Sequence, residues 1–256
     1  MSRFADAGPS KVPQITLGFW MAKICATTLG ETGGDAVSMS LDLGYAAASL
    51  IFLAFFAATV AVQVGAKRFH PLAYWAVVVA TTTVGTTTSD YLDRTLGLGY
   101  ARSSGLLLAA VAALLLLWRR TTGTIAADRI TTRPNEVFYW AAILVSNTLG
   151  TALGDAAADD LGLGFQGGAL VFGALIALVA LAAVLTPISR ALLFWAAYVL
   201  TRPLGATLGD TLTKPLDEGG LALGRFASSG VILAAMVAIV VAMEARGRAT
   251  RRRAAG

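Results

Sequence analysis

Long apolar segments alternate with short polar stretches along the whole chain. The segments cover residues 14–34, 44–65, 72–92, 99–118, 137–157, 164–185, 190–210 and 224–243. Each has about the 20 residues that a helix needs to cross the hydrocarbon core of a bilayer. Their continuous Ala- and Leu-rich composition differs from the alternating segments of about ten residues that build membrane β-barrels. The pattern predicts an all-α, polytopic membrane protein with eight transmembrane helices.

Composition agrees with this prediction. Of the 256 residues, 56% are hydrophobic and 14% are charged, and the mean hydropathy is +0.70. Soluble domains carry about a quarter charged residues. The net charge of +5 does not indicate nucleic-acid binding, because no platform of interleaved basic and aromatic residues accompanies it. We therefore expect the lipid bilayer, and no nucleic acid, as a partner.

A motif of tryptophan, then glycine ten residues later and aspartate fifteen residues later recurs in the odd-numbered segments. Its copies are Trp20, Gly30 and Asp35; Trp75, Gly85 and Asp90; Trp140, Gly150 and Asp155; and Trp195, Gly205 and Asp210. Successive copies are 55, 65 and 55 residues apart. Each repeat holds two membrane crossings, so all copies have the same orientation. Such parallel repeats predict a pseudo-symmetry axis along the membrane normal.

The longer spacing in the middle divides the chain into two repeat pairs. We assign residues 12–121 to the first pair, 122–133 to a connection, 134–243 to the second pair and 244–256 to a basic tail. Lysine and arginine gather at one end of the segments and acidic residues at the other. The basic positions are Arg3, Lys11, Lys67, Arg68, Arg119, Arg120, Arg129, Arg133, Arg190 and the arginines of the tail. Because basic loops stay in the cytoplasm, this asymmetry predicts that the connection and both termini are cytoplasmic.

The tryptophans and glycines of the motif suggest structural roles. Each tryptophan opens an odd-numbered segment near the cytoplasmic boundary, where an aromatic belt at the lipid interface is the simplest interpretation. The glycines remove side-chain bulk and favour close approach of neighbouring helices.

The aspartates carry the candidate chemistry. Positions three or four residues apart share a helix face, so Thr28, Glu31 and Asp35 line up. Thr83 and Thr148 hold the position of Thr28 in the second and third repeats. Fifteen residues of helix rise about 22 Å, which places the aspartates toward the outer side of the membrane. If the odd-numbered helices are the inner ones, a ring of carboxylates surrounds one axis, and such oxygen ligands suit Mg²⁺, Ca²⁺ or Mn²⁺.

Two alternatives stay open at this point. The aspartates could instead bond to backbone at helix ends, with threonine and glycine serving helix packing. The sequence also leaves open whether the odd or the even helices line the axis.

Two basic residues within the apolar segments, Lys23 and Arg202, are candidates for charge pairing. Lys23 could pair with an acid on another helix, and Arg202 could neutralise Asp155 or Asp210. Alternatively, Lys23 extends along its helix to the cytoplasmic interface.

Each two-helix unit has a tryptophan at its head and a T-L-G-x-x-x-G-D type motif at the end of its first helix. In this tandem arrangement the chain resembles a bacterial membrane-protein family described as a repeat of unknown function. The resemblance covers residues 12–243 and implies an eight-helix protein of the bacterial inner membrane. It implies no substrate. The segment from Glu31 to Asp35 also resembles the acidic signature of a manganese and calcium exporter family, in the first repeat alone.

These observations predict a transporter of a small cation, with a divalent metal favoured over an organic cation, and with protons competing for the carboxylates. The expected ligands are Glu31, Asp35, Asp90, Asp155 and Asp210, assisted by Thr28, Thr83 and Thr148. A cation channel with an acidic outer vestibule and a noncatalytic scaffold or sensor subunit are the alternatives. We expect neither an enzyme nor a cofactor, because His70 is the single histidine and no nucleophilic or phosphate-binding motif occurs. The oligomeric state, a homo-oligomer included, stays open.

Overall fold

The computed structural model describes residues 11–66, 69–127 and 130–255, and every long element in these ranges is an α-helix. The helices are α1 Leu17–Asp35, α2 Gly44–Gly65, α3 Pro71–Asp90, α4 Tyr100–Thr122, α5 Arg133–Asp155, α6 Gly164–Leu185, α7 Arg190–Thr213 and α8 Arg225–Ala255. The prediction of eight helices is confirmed. The basic positions Arg3, Lys67, Arg68 and Arg129 lie outside the described residues.

Local sequence accounts for several helix boundaries. The hydroxyl of Thr16 accepts a hydrogen bond from the backbone N–H of Phe19 and so caps α1. Thr132 caps α5 in the same way. At the other end, Gly123 adopts a left-handed conformation (φ 78°) that ends α4. α8 extends through the basic tail as far as Ala255, so most of the tail is helical.

The odd-numbered helices form a closed inner ring. α1 packs against α3, α3 against α5, α5 against α7, and α7 against α1. The ring settles the question that the sequence left open, since the odd helices line the axis.

The motif glycines lie where neighbouring ring helices touch. A Cβ atom on Gly30 would collide with Thr82, one on Gly85 with Asn147, one on Gly150 with Arg202 and one on Gly205 with Thr27. The four partner residues each stand seven positions after the tryptophan of their own repeat. The same two repeat positions therefore meet at each of these helix contacts, which requires the odd helices to be parallel.

The even-numbered helices form an outer layer, and each packs on the odd helix of the next repeat. α2 packs on α3, α4 on α5, α6 on α7, and α8 on α1. The two helices of one sequence repeat are joined at their ends, but their main contacts are with other repeats. α8 closes the cycle by covering the first helix of the chain.

The outer layer presents apolar side chains outward, as Leu50 (69% exposed) and Leu170 (76% exposed) illustrate. By length and composition, α2, α4, α5, α6, α7 and α8 can each cross a membrane. α1 and α3 are richer in hydroxyl and acidic residues, but the ring buries most of these against protein. They stand in the same ring as α5 and α7, so the eight helices form one polytopic membrane bundle.

The tryptophans pack inside this bundle. Trp75, Trp140 and Trp195 are 4%, 2% and 3% exposed, and Trp20 is half-buried. The interpretation of these three side chains as a lipid-facing belt is therefore wrong. An aromatic residue precedes each tryptophan, and a parallel ring brings all these side chains to one level, where they pack against one another. We call this set the aromatic layer; it comprises Phe19, Trp20, Tyr74, Trp75, Tyr139, Trp140, Phe194 and Trp195.

Candidate cation site

All four motif aspartates are buried at the ends of the ring helices, with 1% to 4% of their surface exposed. A helix C-terminus carries partial negative charge, so these positions are unfavourable for carboxylates unless other groups compensate. In the first three repeats a π-helical turn follows the aspartate directly, at Ala36–Ser40, Tyr91–Thr95 and Ala156–Asp160. Such wide turns are frequent at functional sites.

Two basic side chains compensate the aspartates in pairs. Nε of Arg94 lies 3.2 Å from Oδ1 of Asp90, and Nη2 of Arg94 lies 3.6 Å from Oδ2 of Asp155. Lys214 lies 3.4 Å from Oδ1 of Asp210 and 3.6 Å from Oδ2 of Asp35. Each base thus joins the aspartate of its own repeat to that of a neighbouring repeat.

Sequence reasoning missed both bases, although a signal for them exists. Arg94 and Lys214 each stand four residues after the aspartate of the second and fourth repeats, a spacing that favours ion pairs on a helix. The first and third repeats have Met39 and Asp159 at that position. The pairing of the motif aspartates by these two bases is therefore twofold rather than fourfold.

Three carboxylates come together on the Lys214 side. Glu31, Asp35 and Asp210 each offer one oxygen, and these oxygens all lie within 4.8 Å of one another. We call these residues the acidic cluster. Asp90 and Asp155, also predicted as ligands, pair with Arg94 instead, and no group of three metal-ligating residues that includes them occurs in the described part of the chain.

The acidic cluster is incompletely satisfied. Oδ2 of Asp35 and Oδ1 of Asp210 are buried, and neither accepts a hydrogen bond from any described residue. Lys214 faces both atoms at ion-pair distance, and Arg225 approaches Asp35 Oδ2 to 3.7 Å. Buried polar atoms normally have a hydrogen-bond partner, so these two oxygens, which have ion-pair contacts but no hydrogen bond, are candidate ligand atoms. Three hard oxygen donors suit Mg²⁺, Ca²⁺ or Mn²⁺.

A further ion pair holds the Glu31 carboxylate of the acidic cluster, on the side toward the tryptophan end of the ring. Nη2 of Arg202 on α7 donates a 2.8 Å hydrogen bond to Oε2 of Glu31 on α1. The hydroxyl of Thr86 on α3 contacts both partners and donates to the carbonyl of Gly30. Arg202 is fully buried.

Arg202 therefore pairs with Glu31, and the expectation that it neutralises Asp155 or Asp210 is wrong. The helix register gives the reason. Along the helix axes, Glu31 lies one turn further from the tryptophan end of the ring than Arg202. Asp155 and Asp210 lie eight positions further than Arg202, which is about 12 Å.

The expectation for Lys23 is also wrong in both of its forms. Lys23 is fully buried, so its side chain does not extend to the interface, and it has no ion pair with any described carboxylate. Its Nζ donates to Oδ1 of Asn147 (3.2 Å) and lies 4.2 Å from the centre of the Tyr198 ring. The equivalent positions of the other repeats are Val78, Ile143 and Tyr198, which provide no acid at this level.

The predicted hydroxyl ligands bond to their own helices. Thr28 donates to the carbonyl of Ile24, Thr83 to that of Ala80 and Thr148 to that of Leu144. Thr148 also lines an outer groove of about 510 Å³. Such bonds to the preceding turn are the common state of threonine within a helix. The hydroxyl that reaches the acidic cluster is that of Thr86, one turn further along α3.

An inner ring of parallel helices, an apolar outer layer and a buried cluster of charges together define a polytopic α-helical membrane protein built from four repeats. The chain belongs to the family described as Repeat of Unknown Function (DUF347), which matches residues 18–69, 73–124, 138–188 and 193–248. No curated protein and no solved structure matches it.

Proposed function

We propose that this protein is a membrane transporter of a small cation, with a divalent metal ion as its preferred substrate and the acidic cluster as its binding site. The observation that carries the proposal is the meeting of Glu31, Asp35 and Asp210, two of which have a buried carboxylate oxygen that accepts no hydrogen bond from the described residues. Ionisable groups inside a membrane bundle commonly mark ion pathways. The protein is not an enzyme in this proposal, and the cation is substrate rather than cofactor.

Lys214 acts as a built-in competitor of the ion. Burial lowers the pKa of Lys214, but the carboxylates of Asp210 and Asp35 outweigh that effect and raise the pKa above its usual range. The ammonium group therefore stays charged at physiological pH and neutralises the site when no ion is bound. An arriving cation displaces it from Asp35 and Asp210, and departure of the cation lets it return. Protons compete for the same carboxylates in this scheme.

The two ends of the ring differ in a way that supports alternating access. Lys214 and Arg225, beside the acidic cluster, are 11% and 25% exposed in their side chains. The aromatic layer fills the opposite end, where Tyr74 and Tyr139 also share a 2.6 Å hydrogen bond between their hydroxyls. This difference supports a site that opens to one face of the membrane and is closed to the other.

We propose that the sealed face is cytoplasmic and that the membrane is the bacterial inner membrane. Arg119 and Arg120 at the end of α4, and Arg190 at the start of α7, lie at the tryptophan end of the bundle. Basic residues at helix ends favour the cytoplasmic side. The acidic cluster then faces the outside, and both termini are cytoplasmic.

Flux in proteoliposomes tests the proposal. Purified protein is reconstituted and assayed with Mn²⁺, Mg²⁺, Ca²⁺, Na⁺ and protons, with Asp35→Asn and Asp210→Asn as site variants. Asp160→Asn is the matched control, because Asp160 is an exposed aspartate at the same end of the ring. We expect saturable flux of one ion that is lost in both site variants and kept in the control.

Other outcomes decide against the proposal. Single-channel conductance far above transporter turnover would identify a channel with an acidic vestibule. The absence of flux for every ion, with all variants folded, would favour a noncatalytic scaffold or sensor subunit.

A further inference from the structure

A buried amine inside the ring has no role in the proposed ion site. Nζ of Lys23 donates to Asn147, and Nδ2 of Asn147 donates in turn to the hydroxyl of Thr81 (2.9 Å). An ammonium group has three N–H donors. Within the described residues, Asn147 is the one hydrogen-bond acceptor of Nζ, and the ring of Tyr198 is its other polar contact.

These surroundings suit both protonation states of Lys23. The π face of Tyr198 favours the charged ammonium. Full burial without a counter-ion favours the neutral amine. The amide oxygen of Asn147 accepts a hydrogen bond from either form. A lysine that only balanced charge would lie against a carboxylate, as Lys11 does with Glu136 at 2.8 Å.

The other charged and titratable groups around Lys23 come from the ring helices. Arg202 and Tyr198 on α7 act on Lys23 directly. Tyr74 on α3 and Tyr139 on α5 interact with Tyr198, and Glu31 on α1 is the ion-pair partner of Arg202. From the outer layer, α8 adds Met236 and Val240 to the surrounding core. Arg202 is the nearby charge that disfavours a second cation at this level.

We infer that Lys23 is a proton-binding site whose occupancy is linked to cation binding at the acidic cluster. Lys23 and Glu31 are eight residues apart on α1, which is about 12 Å. A unit charge and a divalent ion at about that distance, in surroundings of effective dielectric constant about 20, change each other's binding by about ten- to hundredfold. The positive charge of protonated Lys23 thus weakens cation binding, and a bound cation promotes release of the proton.

The first experiment measures the proton without any cation. Lysine labelled with ¹⁵N at Nζ is observed by NMR across the physiological pH range in the purified full-length protein. The chain has few lysines, namely Lys11, Lys23, Lys67 and Lys214, so the signal lost in Lys23→Met identifies Lys23. We expect this signal to change between its ammonium and amine forms within that range. A Lys23 that stays charged throughout would overturn the inference.

The second experiment measures the linkage, and for its ion it rests on the proposed function. Binding of Mn²⁺ is titrated at several pH values in wild type, Lys23→Met and Lys23→Arg. Lys23→Met should bind about ten- to hundredfold more tightly than wild type at the acidic end of the range and equally at the alkaline end. Lys23→Arg, with a permanent charge, should keep the weaker affinity at every pH. Lys11→Met is the control and should match wild type.

The two experiments distinguish a failure of the proposed function from a failure of the inference about Lys23. If wild type binds no Mn²⁺, the proposed ion is wrong, and the NMR titration still decides whether Lys23 exchanges a proton. If Mn²⁺ binds and all four proteins share one pH dependence, the linkage is wrong. If Lys23→Arg does not fold, wild type is compared with Lys23→Met and Lys23→Gln, which both lack the charge and should both keep the tighter affinity at every pH.

Discussion

Arg202 and Glu31 form a 2.8 Å ion pair that is almost completely buried and joins the last ring helix to the first. Closure of the ring between α7 and α1 therefore includes an electrostatic contact as well as the close packing of Gly205 on Thr27. Breaking a buried pair by removing one partner leaves an uncompensated charge, whereas removing both can be nearly neutral. This asymmetry gives a test of the contact.

Glu31→Gln and Arg202→Met should each lower the free energy of unfolding by about 3 kcal/mol. The double variant should recover most of that loss, because neither charge is then left unpaired. Thermal unfolding of the four proteins in one detergent measures the coupling. A loss in the double variant equal to the sum of the two single losses would contradict a direct pair.

The motif glycines predict a steric effect. Gly85→Ala should destabilise the bundle by about 1–3 kcal/mol, because the new methyl group meets the backbone of Asn147 on α5 and close packing does not tolerate it. Gly173 on α6 has open space around its Cβ direction. Gly173→Ala is thus the matched control and should be neutral or slightly stabilising, since alanine favours helix. Comparable losses in both variants would mean that the ring contact is not the cause.

Replacing Lys214 with an uncharged residue should raise the affinity for the cation. Lys214→Met removes the competing ammonium from Asp35 and Asp210, and cation affinity should rise about fivefold or more, equivalent to about 1 kcal/mol. Lys214→Arg keeps the charge and should keep the affinity low. Arg119→Met, which removes an exposed charge at the tryptophan end of the bundle, is the control and should leave affinity within about twofold. A loss of binding in Lys214→Met would show that the ammonium supports the site rather than competes for it.

The aromatic layer predicts where the tryptophans lie in the bilayer. Variants that keep one tryptophan each, reconstituted with brominated lipids, report contact of the indole with acyl chains. Trp75, Trp140 and Trp195 should be poorly quenched, because the ring buries them. Trp20, which is half-buried, should be quenched more strongly. Strong, equal quenching of all four would restore the interpretation as a lipid-facing belt.

The sequence predicts only part of the candidate cation site. The face shared by Glu31 and Asp35 follows from helix periodicity alone, and the structure places both in the acidic cluster. The partners of these acids do not follow from it. Arg202, Lys214 and Arg225 reach them from α7, from the loop after α7 and from the start of α8, far along the chain.

The sequence by itself determined the eight helices, their fourfold repeat and the level of each residue, because helix length and periodicity are properties of neighbouring residues. Only the tertiary structure decided that the odd helices are inside, that Trp75, Trp140 and Trp195 are buried and that α8 covers α1. Those features depend on contacts such as that of Thr27 with the carbonyl of Thr201, 174 residues away. Local pattern carries no information about such contacts, since ring closure depends on how the faces of all the helices fit one another.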